Sequence, residues 1–179
     1  MPSDMLVAEK FTPEVMLGAP RRSPAVPNYD GTLALYTVSS YDFVEGKKSK
    51  ELKVMEIQTG ISHVLSNDEN VTEALWLPGK SEVLCLIKGE KGATRLVLTG
   101  ATQPVEKGHL VAEFDGLLKG MKLRRFDNGS IAFAAVGLLG DNGKLFNDEK
   151  EKKRSTARVF DTSDVWMVRY QRCPRLVQL

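Results

Sequence analysis

Short apolar runs follow turn glycines three times along the chain. They come after Gly31, Gly79 and Gly129 and contain the stretches LALYTV, EVLCLI and IAFAAV. Glycine readily adopts the left-handed backbone that tight turns need. Apolar runs of about 4–8 residues bounded by turn residues are typical of buried strands. The three glycines are 48 and 50 residues apart, so the pattern indicates a repeated unit.

The flanking segments repeat as well. Ahead of each glycine lies another short candidate strand, and these are 23–27, 71–77 and 121–126. After the first apolar run, residues 51–57 alternate polar and apolar positions, which favours a strand with one face in water. After the second run, 94–98 and 109–114 form a comparable pair. Each unit therefore predicts four short strands joined by tight turns.

Four strands per unit at a spacing of about 40–50 residues is typical of a β-propeller blade. One blade cannot bury both of its faces alone, so neighbouring blades stack. The prediction is an all-β fold, a partial β-propeller of about two and a half four-stranded WD40-like blades. The expected divisions are an N-terminal extension at 1–18, the partial propeller at 19–161 with blades at about 19–66, 71–115 and 117–161, and a divergent C-terminal tail at 162–179.

The number of predicted blades is too small for a closed propeller. Propellers close with about 4–8 blades, so we expect a fragment of a larger protein. Its open blade edges would favour self-association. The long charged stretch 140–155 is predicted as a solvated insertion between strands, and 46–50 as a polar connection.

Composition excludes several classes of function. Of 179 residues, 25 are basic and 23 acidic, a net charge of +2 that gives no basic field for nucleic acid. No apolar run approaches the ~20 residues of a membrane-spanning helix, so no membrane partner is expected. The first 20 residues lack the apolar core of about 7–15 residues of a secretory signal, which predicts a cytoplasmic location.

No residue is assigned a catalytic, cofactor-binding or metal-binding role. His63 and His109 stand far apart, as do Cys85 and Cys173, and none has the spacing of a metal site. Cys85 is expected to be a small buried apolar residue. A disulfide between the two cysteines has no support in the sequence.

The stretch GKSEV at 79–83 comes nearest to a nucleophile elbow or a phosphate-binding loop. It lacks the final glycine of the elbow, and Ala74 stands where the loop would need its first glycine. An apolar β-prone run follows where the loop would need a helix. A hairpin turn is therefore the favoured interpretation.

Two further features permit a binding interpretation. Trp76 is expected to pack between blades, with ligand contact as the alternative. Arg21 and Arg22 precede the first strand, and a surface position is favoured over one facing the central channel, where they would bind a carboxylate.

Several segments resemble the start of the fungal dipeptidyl-peptidase V family of prolyl-oligopeptidase-like serine peptidases. They are APRRSPAVP at 19–27, YTVSSY at 36–41, SNDEN at 66–70, Trp76 with Leu77, and ARVFD at 157–161. The resemblance covers roughly 11–161. It implies an N-terminal propeller that restricts access and a C-terminal α/β-hydrolase domain, whose Ser-Asp-His triad cleaves short peptides near their N-terminus.

The chain departs from that family in two respects. The hydrolase domain is absent from it, so no catalytic residue carries over. After Asp161 the family's Val-Arg-His-Trp-Asp strand is replaced, and a frameshift, a retained intron or a wrong gene end is our hypothesis. A clean transcript ending at Leu179 would refute it. Many members of the family are secreted, whereas a cytoplasmic relative is expected here.

The functional prediction is an N-terminal propeller fragment of a dipeptidyl-peptidase V-like serine peptidase. It would gate substrates in the full-length enzyme and would not hydrolyse peptides alone. A peptide substrate is expected only together with the hydrolase domain. The alternative is a stand-alone WD40-like interaction module, and a small hydrolase is less favoured because no nucleophile motif is present.

Overall fold

The fold is given by a computed structural model, which describes residues 12–140, 143–151 and 165–168. The described residues form three antiparallel β-sheets, two short α-helices and two single-turn 3-10 helices. The predicted all-β class is therefore confirmed. Within these residues, none of the helices has both the length and the apolar content to cross a membrane.

The first sheet follows helix α1 (Pro13–Gly18). Its strands are β1 (Arg21–Arg22), β2 (Val26–Pro27), β3 (Leu33–Asp42), β4 (Lys47–Glu56) and β5 (Ser62–Ser66). β1 and β2 both pair with β3, so together they form one interrupted edge strand. The order across the sheet then follows the chain to β5.

The β3–β4 hairpin corrects one prediction. Lys47 to Lys50, expected in a polar connection, belong to β4 and pair with Asp42 to Ser39. The turn is tightened because the Asp42 carboxylate accepts hydrogen bonds from the backbone N–H groups of Val44 and Glu45. The hairpin extends beyond the apolar core, so its outer part carries polar side chains.

The second sheet contains β6 (Val71–Trp76), β7 (Glu82–Lys88), β8 (Thr94–Gly100) and β9 (His109–Phe114), in that order. The third contains β10 (Leu118–Arg125), β11 (Ile131–Gly137) and β12 (Val165–Val168). β12 lies in the stretch expected to be a divergent tail, and its backbone pairs with β11.

The segment between β11 and β12 is not wholly solvated, contrary to expectation. Leu139 forms a β-bridge with Leu145, and helix α2 (Asp148–Glu151) follows. Asn147 is only 3% exposed. Its side-chain amide donates to the Lys91 carbonyl and to the Asp115 carboxylate, which anchors the segment to the second sheet. The ARVFD segment lies outside the described residues.

The turn ahead of each second strand repeats in its backbone geometry. Gly31, Gly79 and Gly129 have φ angles of 73°, 79° and 79°. In the first and third turns, the side-chain oxygens of Asp30 and Asn128 accept hydrogen bonds from backbone N–H groups two residues later. The repeat found in the sequence is therefore also a repeat of structure.

The sheets stack face to face. One apolar cluster joins the first and second sheets and includes Leu35, Val54 and Cys85, while another joins the second and third and includes Leu86 and Phe133. β7 contributes to both clusters, which explains its continuous apolar sequence. Successive meander sheets stacked in this way are propeller blades, and the sheets do not close into a ring. The predicted partial propeller is confirmed as a fold class, while the blade boundaries remain a prediction.

Candidate functional site

The first strand of each sheet forms one edge of that sheet. β1, β6 and β10 hold this position, and β6 lies beside β10. In a propeller this side of the blades surrounds the central channel. We call this row of first strands the inner edge, and it is the candidate functional surface.

Glu73 links the inner edge of the second sheet to that of the third. Its two carboxylate oxygens accept hydrogen bonds from the backbone N–H groups of Gly120 and Met121, at 2.6 and 2.7 Å. A β-bulge in β10, where Gly120 has a φ of 66°, turns these N–H groups towards the Glu73 carboxylate. Hydrogen bonds to an ionised acceptor are stronger than neutral ones, so this contact fixes the two strands together.

Lys50 makes a corresponding link between the first and second sheets. Its ammonium group donates to the Val71 carbonyl at 2.9 Å. Val71 lies at the start of β6, beside the bulge in that strand. In both interfaces a charged side chain of the earlier sheet thus reaches the bulged start of the next inner strand.

A small cavity lies next to Lys50. Its volume is about 30 Å³, and its lining includes Thr37, Asp68, Thr72 and Glu73. Ligand pockets measure about 300–1,000 Å³, whereas a buried water needs only about 10–15 Å³. The cavity therefore suits water rather than a peptide or cofactor.

Arg21 and Arg22 form β1 and are exposed. They pair with Ser39 and Val38, so their side chains emerge on opposite faces of the first sheet. The structure thus brings both arginines to the inner edge. Whether either contacts a carboxylate remains a prediction.

Trp76 packs between sheets. Its ring lies against the apolar cluster between the first and second sheets, and its indole Nε1 donates to the Val26 carbonyl at 2.7 Å. This contact ties β6 to β2. The indole is satisfied within the protein, which favours the packing role over ligand contact.

The two histidines lie away from the inner edge. His63 is on β5 and His109 begins β9, each the strand farthest from the inner edge of its sheet, and both side chains are exposed. They belong to different sheets, so the structure does not bring them together.

Two other sequence candidates have structural roles. Burial raises the pKa of the Cys85 thiol to about 12, so it stays protonated and unreactive at neutral pH. Gly79 and Lys80 form a hairpin turn in which the Lys80 N–H donates to the Leu77 carbonyl, and β7 follows.

In the part of the chain that the structure describes, no group of three or more His, Cys, Asp and Glu side chains is placed to hold a metal ion.

Sequence reasoning did not identify Glu73 or Lys50 as linking residues. The only signal was the polar residue type at positions near the start of a strand. Their backbone partners lie on the next sheet, 21 to 48 residues away along the chain.

Comparisons with known proteins give relatives over most of the chain. It is 35% identical over 157 residues to the probable dipeptidyl-peptidase 5 of Aspergillus terreus, covering 85% of this chain and 22% of that protein. It is 32% identical over 155 residues to the dipeptidyl-peptidase 5 of Aspergillus fumigatus, covering 85% and 21%. The chain thus spans about a fifth of the length of these relatives. The family resemblance seen in the sequence is confirmed.

No family model matches the chain. Among solved structures, the β-propeller domain of the Trilobed protease from Pyrococcus furiosus, described as having an open velcro topology, aligns with a TM-score of 0.47 and 13% identity. The alignment covers 66% of this chain and 34% of that one.

Proposed function

We propose that the chain, which is homologous to a segment of the fungal dipeptidyl-peptidase 5 proteins, supplies propeller blades to a peptidase of that kind. In this role the blades gate access to the active site and select short peptides. The observation that carries the proposal is the coincidence of the 85% match with a set of stacked blades.

The inner edge supports a gating role through its rigidity. Glu73 and Lys50 direct their charges to backbone groups of the next sheet. Trp76 makes the opposite connection, because its indole donates to the Val26 carbonyl of the preceding sheet. Such contacts hold the first strands at fixed spacing. An inner edge held in this way would exclude large substrates through the width of the channel that it surrounds rather than by binding them.

The proposal assigns hydrolysis to residues outside the described blades. A serine peptidase needs a nucleophile, a base within hydrogen-bond reach and an oxyanion hole. The two histidines are exposed on outer strands, and Cys85 is buried and protonated. The substrate would therefore be a peptide held jointly with a hydrolase domain.

A chimera tests this function. The matched segment of the Aspergillus terreus dipeptidyl-peptidase 5 is replaced by the corresponding part of this chain. Release of dipeptides is then measured from a short peptide and from a folded protein substrate. We expect hydrolysis of the short peptide, with the parental discrimination against the folded protein.

The outcomes separate the parts of the proposal. An active chimera that has lost the discrimination would refute gating. A chimera that does not fold would refute the assignment of these blades to a peptidase propeller. Dipeptide release by the purified 179-residue chain alone would refute the non-catalytic role.

A further inference from the structure

The face of the third sheet that points away from the second sheet carries a row of cations. Residues directly opposite in an antiparallel pair share a face. Phe133 and Ala135 of β11 pack against the second sheet, so the alternate residues of β11 point the other way. Their partners on β10 share that orientation, and the pairs are Lys119 with Val136, Lys122 with Ala134, and Arg124 with Ala132.

We call Lys119, Lys122 and Arg124 the cationic row. All three are exposed. Arg124 lies over the ring of Phe126, with 5.8 Å from its guanidinium carbon to the ring centroid. None of the three forms an ion pair with a residue that the structure describes. These three like charges lie beside the small side chains of β11, and no carboxylate of the described residues is paired with them.

Lys122 occupies in β10 the position that Glu73 occupies in β6. Each is the first paired residue after the bulge of its strand, since the register shifts between Val71 and Glu73 and between Lys119 and Lys122. Glu73 points to the third sheet and accepts hydrogen bonds from its inner strand. A lysine has three donors and no acceptor, so Lys122 requires acceptors from whatever covers this face.

We propose that the cationic row receives an adjoining β-sheet whose nearest strand carries Asp or Glu side chains. The continuity of the stack supports a sheet, because the opposite face of β10 and β11 already packs on one. The charge of the row supports carboxylates, which pair with Lys and Arg in charge-assisted hydrogen bonds. If the proposed function holds, this acidic sheet is the next blade of the peptidase propeller.

A second copy of the chain fits the row less well. Its available face is the side of the first sheet that points away from the second sheet, and Arg22 shares that side with Val38. Lys53 and Glu51 on the same side pair with each other at 2.8 Å. The approaching face would therefore bring Arg22 to the cationic row, and like charges repel.

The test uses the full chain and a synthetic strand. The probe is a peptide of alternating threonine and glutamate residues, and the comparison peptide has glutamine in place of glutamate. Binding is measured by calorimetry at low salt and by shifts of backbone amide resonances. We expect saturable binding of the acidic peptide that shifts β10 amides, with affinity at least tenfold lower for the glutamine peptide.

Matched variants locate the interaction. Lys122→Glu should weaken binding of the acidic peptide at least tenfold, and Lys122→Gln should weaken it less. Lys48→Glu makes the same charge change at an exposed position of β4 and should leave binding unchanged. Raising the salt concentration should also weaken binding, because exposed charges are screened.

Three results would overturn the proposal. The first is no binding of the acidic peptide by the wild-type chain. The second is equal binding by Lys122→Glu, with an unchanged urea midpoint showing that the variant is folded. The third is light scattering that shows oligomers of the wild-type chain and their loss in Lys122→Glu, which would make a second copy the partner. If the acidic peptide binds but the chimera with dipeptidyl-peptidase 5 fails, only the assignment to a peptidase is refuted, and the cationic row remains a docking surface for an acidic sheet.

Discussion

The Glu73 carboxylate accepts a hydrogen bond from the backbone N–H of Met121 across the boundary between two sheets. A second oxygen of the same carboxylate accepts from Gly120. One half-buried side chain thus satisfies both N–H groups that the bulge in β10 removes from the sheet ladder. Few sequence changes should weaken the stack as directly as the loss of this carboxylate.

Replacement of Glu73 by alanine should lower the free energy of unfolding by about 2 kcal/mol, because two N–H groups lose a charged acceptor. Glu73→Gln retains one acceptor oxygen and should lose less. Urea unfolding of the full chain measures both. Glu113→Gln, at an exposed position on β9, is the control and should change stability little. Equal losses for Glu113→Gln and Glu73→Gln would contradict the prediction.

Thr94 provides a second test at the same boundary. Its hydroxyl donates to the Gly116 carbonyl at 2.8 Å and accepts from the Leu118 N–H at 3.1 Å, and the residue is 2% exposed. Thr94→Val keeps the shape but leaves both backbone groups unpaired, which should cost about 2 kcal/mol. Thr94→Ser keeps the hydroxyl and should cost about 1 kcal/mol for the lost methyl group. A larger loss for serine than for valine would show that packing, rather than hydrogen bonding, dominates.

Gly108 should not tolerate a side chain. An added Cβ would lie 2.6 Å from Val97 Cγ1 and 2.9 Å from the carbonyl oxygens of Leu98 and Val105. Backbone atoms cannot move aside cheaply, so Gly108→Ala should destabilise the chain by about 1–3 kcal/mol. Gly100→Ala is the matched control, because its nearest neighbour would be 3.8 Å away. Thermal unfolding should separate the two variants, and identical transition temperatures would refute the close approach.

Acid should weaken the contact between Asp115 and the segment at 143–151. The hydrogen bond from Lys150, with that from Asn147, lowers the pKa of the Asp115 carboxyl below its ordinary value of 3.8. A lowered pKa means that this contact stabilises the segment above about pH 4 and that the contribution is lost as pH falls through the folded pKa. The backbone amide resonances of Glu149 and Lys150, which donate to Asn147, should report the change.

The variant Asp115→Asn is the control for this titration. It removes the ionisable group, so the amide resonances should lose their response to acid in this range. A response that persists in Asp115→Asn would assign the change to another group.

Much of the fold could be predicted from local patterns. The turn glycines and the apolar run of β7 were sufficient to predict the hairpins and their repetition, because hairpins join strands that are neighbours in the chain. The polar residues Lys47 to Lys50 were misassigned, since a hairpin beyond the core has no apolar alternation to mark it. The burial of Asn147 also had no signal, because an asparagine within a charged stretch resembles any solvated residue.

Less of the candidate site could be predicted from the sequence. Arg21 and Trp76 could be singled out by residue type, but their neighbours lie on other strands. The link from Glu73 to the bulge of β10 depends on the stacking of two sheets. No local sequence pattern indicates which residues of two stacked sheets lie close together, so this link could be found only in the three-dimensional structure.

The pairing of β11 with β12 has a consequence for folding. In the first two sheets nearly all pairing joins strands that follow each other within a few residues, so each loop closes at low entropic cost. β12 instead joins its neighbour across the residues between Gly137 and Val165. Contacts of greater sequence separation form more slowly, and domains emerge from the ribosome N-terminal part first. During synthesis the first two sheets should therefore be complete and stacked while the third still presents a two-stranded hairpin.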